Sequence, residues 1–247
     1  MVLYVTMLDF FSSFFRKTGS EPESSFSGLS DDEMEAHLSI DRYGDFQLTD
    51  AIRPAYRPTI VPVEGYKYDY YDDCERGESI PVIMAAVSRE KLYRVFMSLI
   101  EPLGDMPDVV LETSHVHYPH HLDLYREGID MPVLQSILSD PDTEDVLMND
   151  GCAGIAVLNP DVPLEVQFDE HKLLIIYAEK LQPFARILEE ENVPHRLLTG
   201  AEHMHSSSRK YATQFARLAT ELALDGVQDE EAHDDEGRDT EDPYSYS

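Results

Sequence analysis

The chain has 247 residues, 42% of them hydrophobic, with 49 Asp and Glu against 19 Lys and Arg and a formal charge of -30. A surface of that sign repels phosphate, because nucleic-acid affinity comes largely from cations that displace the counterions condensed on the backbone. Nucleic acid is therefore excluded as a direct ligand, and an anionic membrane is disfavoured on the same ground. The ligands such a field attracts are basic proteins, cationic peptides and divalent metals.

The excess is concentrated at the ends without being confined there. Residues 225–247 carry ten acids against Arg238, and residues 18–50 carry nine against Arg42. Residues 51–224 still hold 29 acids and 15 bases. Arg outnumbers Lys thirteen to six, a composition also expected of a chain kept soluble at high ionic strength, where salt screens self-repulsion. Two cysteines, Cys74 and Cys152, are too few for a disulfide scaffold and match no metal-ligand spacing, which points to a reducing, cytoplasmic compartment.

Residues 1–17 open with an apolar stretch, Met1 to Phe15, followed by Arg16 and Lys17. The stretch is too short to span a bilayer, so no transmembrane segment is expected, and its charge follows the apolar run where a secretory signal places it before. In a helix Leu8, Phe11 and Phe15 share one face with Phe14 beside them. That face is suited to docking on the body of the protein, on a partner or on a membrane surface. Residues 18–50 read as an acidic flexible linker with a short helix at Asp31 to His37. Residues 51–79 read as an extended arm, because Pro54, Pro58 and Pro62 bias their neighbours to extended geometry. The Tyr-rich run from Tyr66 to Asp73 fits an edge strand or a surface loop.

A single α+β domain is expected over 80–224. Ile80 to Val87 suits a buried strand, and Ser88 is placed to cap a helix carrying Leu92, Val95, Phe96, Leu99 and Ile100 at helical spacing. Asp108 to Ser114 is a second strand. Asp130 and Pro132 start a helix that the Ser139-Asp140-Pro141 turn ends. Hairpin signals then predict a meander of up to four strands: Val146 to Met148, Ala153 to Leu158, Leu164 to Phe168 and Lys172 to Tyr177. A helix over about Lys180 to Glu191, a short strand at His195 to Leu198 and a closing helix from about Ser207 to Leu224 complete the domain. Residues 225–247 are expected to form a disordered acidic tail. This order predicts a mixed, largely antiparallel sheet with helices on one face, ferredoxin-like only by analogy of layout.

Phosphate-loop, dinucleotide-binding and nucleophile-elbow motifs are all missing from the chain. Histidine is the one residue type with a pattern. His115, His117, His120 and His121 follow the second strand, and His203 with His205 precedes the closing helix. Residues two apart in an extended chain share a face, so His115, His117, His203 and His205 form a candidate divalent-metal site. A metal-bound water deprotonated by a nearby carboxylate would supply its chemistry. Cys152, drawn with His171 as nucleophile and base, reads better as a small buried residue. Ser207, Ser208, Arg209 and Lys210 open the closing helix and form a candidate anion site, although capping alone explains the serines. The expected function is non-catalytic binding of a basic protein or peptide; the alternative is a metal-dependent enzyme or metal sensor using the histidines.

Overall fold

The computed structural model describes residues 29–53, 61–73, 78–117, 120–196, 204–205, 209–222 and 225–227. Helix α1 (Asp31–Leu38) leads into the short strands β1 (Arg42–Tyr43), β2 (Phe46–Gln47) and β3 (Ile52–Arg53). The long strands β4 (Gly65–Asp73) and β5 (Glu78–Ala86) precede α2 (Arg89–Ile100). Strands β6 (Asp108–His117) and β7 (His120–Arg126) form a hairpin, followed by α3 (Met131–Leu138) and α4 (Pro141–Asn149). Strands β8 (Ala153–Leu158), β9 (Leu164–Phe168) and β10 (Leu173–Ala178) form a meander before α5 (Gln182–Glu190). The last elements are β11 (Met204–His205), α6 (Arg209–Glu221) and β12 (Asp225–Val227).

Eight strands make one sheet in the order β12-β7-β6-β8-β9-β10-β5-β4. Every neighbouring pair in it is antiparallel. The α+β class and the one-sided placement of helices are therefore as expected. The connection through α2 carries the chain from β5 to β6 across three intervening strands. Among the described residues no helix is long and apolar enough to cross a membrane.

Alternation decides which side chains meet the helices. Ile83, Leu111, Ile155, Phe168 and Ile176 join residues of α2 through α6 in one core cluster. Phe96 and Phe168 stack at 5.3 Å with Tyr93 beside both. The Tyr93 hydroxyl donates to the Leu138 carbonyl at 2.6 Å, tying α2 to the end of α3. The Lys91 ammonium donates to the carbonyls of Glu191 and Asn192 just past α5, where a cation meets the negative end of the helix dipole.

Several expectations change. Val146 to Met148 is helical, inside α4, because the Asp140 carboxylate caps the Asp142 N–H and Pro141 fits the first turn. The meander therefore has three strands. Ser88 stands at the start of α2 without a side-chain cap; its hydroxyl instead receives the Gln47 N–H and donates to Glu90. The Tyr-rich run is the edge strand β4, and beyond β6 the histidine loop continues into β7. Of the short strand expected at His195 to Leu198, His195 forms an isolated parallel bridge to Tyr66, and residues 197–198 lie outside the described residues. Strands β4 and β12 extend the sheet past the 80–224 stretch on both sides, so Asp225–Val227 is paired strand where tail was expected. Residues 1–28, 54–60, 197–203, 206–208 and 228–247 lie outside the described residues.

Phe168→Ala removes the ring shared by Phe96, Tyr93 and the Lys172 ammonium. Denaturant unfolding is expected to show a loss of about 3–5 kcal/mol.

Candidate functional site

Charged side chains converge where β6, β8, β9 and β10 meet the helix layer at one end of the sheet. Asp150 follows α4 directly and is fully buried. Its Oδ2 lies 2.5 Å from Nε2 of His115 on β6, and its Oδ1 accepts the Cys152 N–H at 3.1 Å. Phe215 of α6 stands 6.1 Å from the His115 ring.

The turn from β9 to β10 supplies the other half. Fully buried Asp169 accepts the Leu173 N–H at 2.6 Å through Oδ1, and its Oδ2 lies 3.3 Å from His171 Nδ1. Lys172 then takes a left-handed backbone, φ +62°, the position that follows the turn in a three-residue hairpin loop and usually holds Gly or Asn. For a residue with a Cβ that geometry costs about 1–2 kcal/mol. The buried ammonium is spent on structure, donating to the Ala153 carbonyl at 2.8 Å and lying over the Phe168 ring. Burial pulls its pKa down to about 8, while the fields of Asp169, Asp150, Glu170 and Cys152 oppose the shift.

The face of the sheet away from the helices carries the second concentration of polar groups. Cross-strand register sets Asp123 against Glu112, and Glu165 against Tyr177. Gln167 donates from Nε2 to Glu165 Oε1, while its own buried Oε1 has no hydrogen-bond partner among the described residues. Burial raises Glu165 to about 7, with the Gln167 hydrogen bond opposing the shift. Glu112 is pushed well above the usual carboxylate range, first by burial and then by Asp123, Glu165, Glu170 and Asp169. Burial also raises the Tyr177 phenol. Burial thus favours the neutral form of each of these three groups.

The histidine candidates separate into different surroundings. His115 faces Asp150, and the His117 backbone pairs with His120 at the tip of the β6–β7 hairpin. The His205 backbone pairs with Ile52 in the small β11–β3 sheet, and His203 lies outside the described residues. Among the described residues no three His, Cys, Asp or Glu side chains come together with metal-holding geometry. Arg209 and Lys210 begin α6, and Ser207 and Ser208 lie outside the described residues. Cys152 is half-buried, and its N–H and the His171 ring are each turned to a carboxylate. A polar cleft of about 340 Å³ between α2 and α4 holds Arg89, Glu90, Glu144 and Asp145, but Asp50 already engages the Arg89 guanidinium at 2.7 Å.

Sequence reading missed Asp150, Asp169, Lys172 and Glu165, and it offered Glu112 only as a carboxylate, with Asp123 or Glu202, that could complete the histidine metal site. Only Leu164–Phe168 carried a signal, since L-E-V-Q-F alternates and sets Glu165 and Gln167 on one face.

No family model, no curated protein and no solved structure matches this chain. Its function must therefore be argued from its own chemistry.

Two outcomes follow for the buried charges. Asp150→Ala strands His115 and the Cys152 N–H, and chemical denaturation should show a loss of about 3 kcal/mol. His115→Ala in addition should cost less than the sum of the two single losses, because the pair acts as a unit. Glu165 keeps its proton in the fold to about 7 but releases it near 4.5 when unfolded. Its stabilising contribution is thus complete below the lower value and is lost as pH rises through the upper one. Glu165→Gln should match the parent at about pH 4 and exceed it by roughly 1–3 kcal/mol at about pH 8, read from paired unfolding curves.

Proposed function

We propose that this protein works without catalysis, by binding a basic polypeptide at the end of its sheet opposite the buried charge cluster. The observation that carries this reading is the composition of the rim there. Exposed Glu101, Asp105, Glu127, Asp130, Asp161 and Glu179 share that end of the sheet with exposed Met106, Val133 and Val162. None of those six acids has an ion-pair partner among the described residues, whereas Arg42, Arg89, Arg94 and Arg217 are each held by acids of their own chain elsewhere.

The loops that form the rim are fixed in place. The Asp108 carboxylate accepts the Gly128 N–H and the Tyr125 hydroxyl, both at 2.8 Å. Gly128 has φ +55°, a backbone that a side chain would strain. The Ile129 and Met131 N–H groups donate to Pro107 and Asp105, and the Asn159 amide donates to Leu103. A preorganised rim of this kind loses little ordering entropy on binding. Apolar side chains set among unpaired carboxylates suit a partner segment that alternates Lys or Arg with apolar residues. Charge would speed the encounter, and the apolar contacts would slow release.

Affinity capture with the full chain tests the reading. Basic proteins retained at low ionic strength should be released as salt shortens the screening length, which is about 8 Å at physiological strength. They should also be lost when Glu101→Gln, Asp105→Asn, Glu127→Gln and Asp130→Asn are combined. Asp130 makes no side-chain cap bond, so its amide form leaves α3 intact. The control Glu189→Gln with Glu190→Gln on α5 should retain them. Capture indifferent to the rim substitutions would contradict the assignment.

A further inference from the structure

A cavity of about 290 Å³ opens between the end of α1 and the turn from β2 to β3. Leu38, Ile40, Leu48 and Ile52 give it apolar walls, and Asp41 and Arg53 bring opposite charges to them. The walls are held by backbone bonds: the Leu48 N–H donates to the Asp41 carbonyl at 2.8 Å, and the Ile52 N–H to the Thr49 carbonyl at 3.2 Å. Asp50 ties the turn to the body, its N–H donating to Asn149 Oδ1 and its carboxylate holding Arg89 at the start of α2. Arg53 Nη1 donates to the carbonyls of Asp50 at 2.9 Å and Ile52 at 3.1 Å. The guanidinium is thus oriented, yet its other nitrogens have no partner among the described residues. Arg42, Arg89, Arg94 and Arg217 are each held by a carboxylate, and Arg53 is not. Nor does the Asp41 carboxylate make a hydrogen bond or ion pair among the described residues. Thr49 lines the same cavity, and its buried hydroxyl has no hydrogen-bond partner there, a group that a polar ligand would satisfy.

We propose that this cavity binds a free α-amino acid with an aliphatic side chain. The carboxylate of the ligand lies on Arg53, whose planar fork matches it, and its ammonium lies on Asp41. Its side chain packs against the four apolar residues. The two unanswered charges select this class of ligand. A simple carboxylate would leave Asp41 without a partner and would have to enter the field of a chain with a formal charge of -30. An amine would be drawn in by that field but would leave Arg53 unanswered. A zwitterion answers both and, being neutral overall, is not repelled at long range. Size agrees, because the volume stands at the lower end of the range for small-molecule sites, about 300–1,000 Å³. The acidic rim lies at the other end of α2, beyond Ile100, so this site is separate from the one that takes a basic polypeptide.

Calorimetric titration of the full chain with L-leucine tests the site and should show saturable binding. Isocaproate, which lacks the ammonium, and isopentylamine, which lacks the carboxylate, should each bind at least about tenfold more weakly, since each forgoes a charged hydrogen bond. Arg53→Gln and Asp41→Asn should weaken L-leucine to a similar extent. Asp41 is exposed and its carboxylate makes no bond among the described residues, so Asp41→Asn reads the site even where Arg53→Gln disturbs β3. Nuclear Overhauser contacts should run from the leucine methyls to those of Ile40 and Ile52, and not to Val133 and Val162 at the rim. No saturable binding of L-leucine, L-isoleucine or L-valine at about 10 mM would overturn the proposal. Affinity unaltered by Asp41→Asn would overturn it as well, and so would isocaproate binding as tightly as L-leucine, which would make this a site for simple carboxylates.

Discussion

Strand alternation sends every second side chain of an eight-stranded sheet to each face, so a wide sheet has two surfaces to keep from water. In this chain helices α2 to α6 serve one of them. The other surface governs much of what is unusual in the molecule. Its two apolar clusters flank a polar middle, and the carboxyls there sit where water is scarce. Glu165 and Glu112 respond as buried acids do, by holding their protons to higher pH. Each proton retained on folding couples stability to pH, so covering this face and titrating the protein are one physical problem.

The cluster at the strand ends solves a different problem. A one-residue slip between β9 and β10 would turn Phe168 and Ile176 away from the helices, and register must be specified against it. Asp169 does so by taking the Leu173 N–H on its side chain while its backbone pairs with the same residue. Lys172 accepts backbone strain next to it and anchors its ammonium on Ala153, one strand further on. Asp150 and His115 tie the start of β8 to β6 in the same way. Buried ions are a costly means of adding stability but, with every partner in place, an effective means of fixing one arrangement. Lys172, the amine brought down to about 8, is thus read as a strut that shares its end of the sheet with Cys152 and His171.

Elements with a clean period were legible before any coordinates. The apolar run at β5 and the helical spacing of Leu92, Val95, Phe96 and Leu99 predicted the strand and helix that exist. Short runs without a period were not. Val146 to Met148 resembles a strand by composition, and Asp140-Pro141, read as the end of one helix, also begins the next. Strand β7 was hidden because histidines and Pro119 mask its alternation. The polar site was nearly illegible for a simpler reason: with 49 acids, any carboxylate spacing arises by chance. His115 meets Asp150, thirty-five positions along the chain, and no local pattern reports a contact of that range.

Acidity suited to salty surroundings accounts for carboxylates that face solvent, where counterions screen them and hydration favours their charge. It gives no account of Glu165. A carboxyl removed from water contributes nothing to solubility and, once ionised, carries a desolvation penalty. Replacing it with a well-packed apolar residue would remove that penalty at no cost to the surface charge. It stands between two apolar clusters, opposite Tyr177 and hydrogen-bonded to Gln167, so its placement answers to the packing of this face and not to the solvent. The exposed acids and the buried ones therefore answer to separate constraints.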